Sequence, residues 1–71
     1  MKKMLVDNMM TYLAGKVKYH QANVRVYLTN PVGIGEHPDI MAAIEEELEK
    51  AASYQEKLDQ LGDILMGGED G

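Results

Sequence analysis

Residues 39–66 read DIMAAIEEELEKAASYQEKLDQLGDILM. Within this stretch Ile40, Ile44, Leu48, Ala51, Tyr54, Leu58, Leu61 and Leu65 recur at intervals of three and four, the repeat of one face of an α-helix. The other face is acidic and basic, Ala42, Ala43, Ala51 and Ala52 add intrinsic helix preference, and no proline interrupts the run. The spacing therefore predicts a helix over about 39–66. Pro38 suits a first helical position and Asp39 the positive end of the helix dipole, so a start beside His37 is expected. Gly67 and Gly68 stop the helix, and the tail 67–71 has nothing to bury.

Upstream, Val6, Met10, Leu13, Val17, His20, Val24 and Leu28 fit a second helical stripe over about 3–29. Gly15 and several β-branched residues weaken it. The competing reading folds residues 17–28 as a β-hairpin, since Val24, Val26 and Leu28 alternate and His20 to Asn23 offer a turn; the chain would then be α+β. The helical reading gives two elements of matching length joined by one loop over 30–38, opened by Asn30 before Pro31. The expected fold is all-α: a single domain over 1–66, an antiparallel two-helix hairpin that self-associates into a helical bundle. Self-association follows because two helices share one interface, which leaves part of each apolar stripe open. Met1, Met4, Met9, Met10, Met41 and Met66 read as adaptable filler of subunit contacts.

The chain has 71 residues, 45% hydrophobic and 27% charged, with no cysteine. That length holds one small core, without disulfide support and without the thiolates of a usual structural zinc site. No apolar run approaches the roughly 18 residues of a membrane span, and residues 1–6 lack the apolar stretch of a signal peptide, so no membrane contact is expected. Residues 1–35 carry five basic groups against one acid (+4), and residues 36–71 carry two against eleven (−9), which sums to the net −5. The halves attract one another, and an acidic whole argues against direct nucleic-acid binding. The basic stretch from Lys16 to Arg25 is expected to face Glu45, Glu46, Glu47 and Glu49.

The segment Asn30 to Asp39, NPVGIGEHPD, is richer than a helix connection requires. Gly33 and Gly35 permit turns in which successive amides form a concave anion-binding nest, or they simply let the chain reverse. Asn30 and His37 offer side-chain contacts there, although His37 also suits a helix cap. Arg25 and Tyr27 add a cation and a stacking ring from the adjacent helix end. His20, on the apolar stripe, is expected to be a buried histidine satisfied by a glutamate among residues 47–51. Tyr12, Tyr19, Tyr27 and Tyr54 serve equally for stacking a base or for interface packing. Ser53 is the lone serine and no nucleophile, base and orienting group are spaced for catalysis, so no enzyme, cofactor or metal is implied.

The tripeptide His37, Pro38, Asp39 resembles that of the J-domain of Hsp40 co-chaperones, but here glycine-rich residues precede it and an acidic helix follows at once. A broader resemblance runs from Arg25 to about residue 61. The run RVYLTNPVGIGEHPDIMAAI followed by an acidic Ala/Glu/Leu helix resembles a group of small proteins encoded by tailed bacteriophages. The resemblance implies a phage accessory protein acting in the host bacterial cytoplasm and brings no activity with it. Together with the loop chemistry it yields the expectation of a non-enzymatic homo-oligomer that sequesters a small anionic ligand, such as a cyclic nucleotide immune signal, through Arg25, Tyr27, Asn30, Gly33, Gly35 and His37. The alternative is an interaction module that binds or inhibits a host protein, or a virion or scaffold component.

Overall fold

A computed structural model describes residues 2–29 and 39–67. Helix α1 spans Lys2–Thr29 and α2 spans Ile40–Leu65. Tyr12 meets Tyr54 while His20 meets Glu47, so residues early in α1 lie beside residues late in α2 and the pair is antiparallel. The fold is an all-α helical hairpin.

The β-hairpin alternative over 17–28 is overturned, because those residues lie within α1. Their β preference is worth tenths of a kcal/mol per residue, and tertiary packing outweighs it. Only the helical repeat brings Leu13, Val17 and His20 to one face, where all three are buried with Ala51 of α2.

The inward seam differs in detail from the expected stripe. On α2 it runs Ile40, Ile44, Glu47, Ala51, Tyr54, Leu58, Leu61, each buried or half-buried, in strict alternation of four and three. Leu48, one step past Glu47, faces outward, as do Leu65 and, on α1, Met10 and Leu28; Tyr27 turns inward beside Leu28. A carboxylate takes a seam position from a leucine because the opposite helix supplies its partners.

The helix ends are closed locally. Asp39 is the N-cap of α2, its Oδ1 accepting from the amide of Ala42 at 2.9 Å, so the first helical residue is Ile40 and not Pro38 as the sequence suggested. At the far end the Met66 amide donates to Gly62 O and the Gly67 amide to Ile64 O, with Gly67 at φ 84°, a conformation that costs glycine little. In the last turn of α1 the Thr29 hydroxyl donates to the carbonyl of Arg25 at 2.8 Å. Asp39→Ala is expected to lower stability by about 1 kcal/mol, and Asp39→Ser to recover most of it; urea titration followed by circular dichroism measures both.

Candidate functional site

Three regions offer chemistry, and they lie at different levels along the hairpin. The first is the end where α1 runs out and α2 begins. The antiparallel arrangement sets Arg25 and Tyr27, in the last turns of α1, at the same end as Asp39. Arg25 is exposed and Tyr27 half-buried. Asn30, Gly33, Gly35 and His37 lie outside the described residues. The N-terminus of α2 is already occupied by its own carboxylate: Asp39 holds the Ala42 amide and contributes negative charge. An anion bound at this end is therefore repelled by Asp39 and depends on the guanidinium of Arg25 and on donors beyond the helix.

The second region is a buried polar cluster at mid-height. Glu47 Oε1 accepts from His20 Nδ1 at 2.7 Å and from Asn23 Nδ2 at 3.0 Å. Because a carboxylate only accepts, Nδ1 carries the proton. The imidazole stacks against Tyr54, with centroids 5.8 Å apart and planes 11° apart, and meets the edge of Tyr19 at 4.9 Å. Tyr54 in turn takes Tyr12 edge-on at 6.3 Å, with Lys57 Nζ 4.7 Å and Lys16 Nζ 5.5 Å from its ring centre. The Asn23 hydrogen bond, and after it that of His20, holds the Glu47 carboxyl below its ordinary value despite partial burial. Among the described residues no buried side-chain nitrogen or oxygen lacks a partner. The two hydrogen bonds to Glu47 join the helices at one height, so the cluster fixes which residues of the two helices stand opposite one another.

The expected pairing of the basic stretch Lys16 to Arg25 with the acidic run is not made by Lys16, Lys18 or Arg25 among the described residues; His20 and Asn23 of that stretch meet Glu47 instead. Lys16 lies over the Tyr19 and Tyr54 rings, and Glu46 reaches along its own helix to Lys50 at 3.5 Å. The exposed ring of Tyr19 and the half-buried ring of Tyr54 both lie within reach of the lysine ammonium on its own side of the hairpin.

The third region, which sequence reasoning missed, is an apolar groove of about 400 Å³ between the first half of α1 and the second half of α2, at the end of the hairpin away from Thr29 and Asp39. Met9, Leu13, Leu61 and Ile64 form it, with Glu56 and Lys57 at its rim. Its signal in the sequence is Met9 and Ile64, apolar residues that fall outside either stripe. Among the described residues no three His, Asp or Glu side chains gather as a metal site requires, and no helix is long and apolar enough to cross a membrane. No protein-family model, curated protein or solved structure matches the chain.

Proposed function

We propose that this chain is a small phage accessory protein of the host bacterial cytoplasm that works by stoichiometric binding without turnover, as a homo-oligomer, and that it sequesters a small anionic ligand of the cyclic-nucleotide class as an anti-defence sponge. The observation that supports this reading is the division of the hairpin into three levels. The middle is taken by a polar cluster in which His20 and Asn23 already hold the Glu47 carboxylate, and the free end holds an apolar groove suited to a hydrocarbon side chain. The remaining end sets an exposed guanidinium, Arg25, and a half-buried aromatic ring, Tyr27, in the last turns of α1, and the sequence runs on from there into a glycine-containing segment, residue types that suit phosphates and bases.

Titration calorimetry with a panel of cyclic di- and trinucleotides and ADP-ribose derivatives tests the reading. Binding that weakens with added salt, and by about tenfold or more in Arg25→Ala, is expected. No heat above buffer for any member removes that ligand class. A second reading, an interaction module directed at a host protein, is favoured by the outward face of α2, where Glu45, Glu46, Glu49, Glu56, Asp59 and Asp63 are all exposed. Recovery of the same host partner by a Glu45→Lys, Glu46→Lys, Glu49→Lys variant removes this face from that reading.

A further inference from the structure

Leu5, Tyr12, Tyr19 and Val26 stand seven residues apart on α1 and are 64%, 54%, 57% and 56% exposed. Steps of seven on an α-helix return to nearly the same side, so the four form one line about 31 Å long on the outside of the hairpin. Met9, which lines the apolar groove, has Leu5 and Tyr12 as its i−4 and i+3 neighbours, so line and groove share a face. We propose that this face is covered by a second copy of the chain, with α1 of each copy laid along α2 of the other.

Two observations select a second copy as the occupant. The hairpin measures 50 × 24 × 14 Å, so its thinnest dimension is about that of one helix with its side chains, a single layer where stable folds have two. Charge then fixes the arrangement. Helix α1 carries Lys2, Lys3, Lys16, Lys18 and Arg25 against Asp7, a net +4, while α2 carries Lys50 and Lys57 against seven acids, a net −5. Laying α1 on the α1 of the other copy sets like charges together; laying it on α2 sets opposite charges together. A two-fold axis parallel to the helices does this while keeping each residue at its own height, so the Leu5 end of the line meets the groove beside Ile64 of the second copy.

This inference specifies the homo-oligomer in the proposed function and is independent of the ligand. Sedimentation equilibrium over a concentration series tests it. The wild type is expected to reach twice the monomer mass, the Leu5→Glu, Val26→Glu double variant to associate about tenfold or more weakly, and Leu28→Glu, exposed but off the line, to associate as the wild type does. Hydroxyl-radical footprinting of the wild type, concentrated against dilute, supplies a reading that no folding defect confounds: Leu5, Tyr12, Tyr19 and Val26 gain protection while Leu28 and Leu48 do not. A wild type that stays monomeric overturns the homo-oligomer itself. An unchanged dimer in the double variant, or protection confined to Leu28 and Leu48, overturns this face and leaves ligand capture to calorimetry.

Discussion

Replacing Leu13 by alanine is expected to unfold most of the chain at room temperature. Leu13, Val17 and Ala51 are the buried apolar residues among those described, and Leu13 is the largest of them at 5% exposure. Truncating a buried leucine removes about 2–5 kcal/mol, the transfer free energy of its lost methyl groups plus a term for whatever void remains. A domain of this length rarely has more than about 3–5 kcal/mol in total, so the loss is comparable with the whole. Leu28→Ala makes the same chemical change where the side chain is 64% exposed and is expected to shift stability by less than about 0.5 kcal/mol. Thermal and urea melts by far-ultraviolet circular dichroism, at matched protein concentration because association adds stability, compare the two. A Leu13→Ala variant that melts within a few degrees of the wild type would mean that the inter-helix seam is not what holds the hairpin together.

The seam was legible because α2 repeats mostly apolar residues at three and four, and because a short connection, residues 30–38, between helices of similar length leaves antiparallel pairing as the short route. The same geometry set His20 opposite residues 47–51, and the structure pairs it with Glu47 at 2.7 Å. What hydropathy hid was that Glu47, and not Leu48, occupies the seam. A scale that treats every carboxylate as a surface group cannot see that His20 and Asn23, at i and i+3 of the other helix, present two donors at one height.

The outward line of α1 was obscured for a related reason. A helix with apolar residues both on its seam and on a second side blurs into one broad stripe, and Val26 and Leu28 then read as an alternating strand. The contacts of α2 with Leu13, Val17 and His20 separate the two sides and expose Leu5, Tyr12, Tyr19 and Val26 as a set with its own repeat. Of the candidate ligand residues, Arg25 and Tyr27 could be located from helix length alone, since a helix ending at Thr29 puts both within its last turns. Asn30, Gly33, Gly35 and His37 were chosen for the chemistry of their residue types, and their arrangement depends on backbone torsions of a connection that no periodicity encodes.

Truncating Glu47 to alanine is expected to cost the next largest amount, about 1–3 kcal/mol for each donor left unpaired away from water. Both His20 Nδ1 and Asn23 Nδ2 lose their acceptor in one step, while the 6% exposed histidine has little water to turn to. Glu47→Gln keeps an acceptor oxygen, loses the charge that strengthens both bonds, and falls between wild type and alanine. Replacing His20, Asn23 and Glu47 together by leucine removes every polar group that needed a partner and is expected to restore wild-type stability or exceed it, the behaviour of buried polar groups exchanged for hydrocarbon. The pH dependence separates these cases further. The Asn23 and His20 hydrogen bonds depress the folded pKa of Glu47 below its ordinary 4.5, so its contribution is fully present above that value. It is lost as pH falls through the lower folded value, because the unfolded chain takes up the proton first. The wild type should therefore lose melting temperature on acidification below about 4.5 by more than the triple-leucine variant does. Equal acid sensitivity would assign the effect to the exposed carboxylates of α2. If the triple variant is stable but associates into species of several masses, the cluster's contribution is to specify which residues face one another, since leucines slide along a seam more readily than a histidine, an asparagine and a glutamate bound to each other.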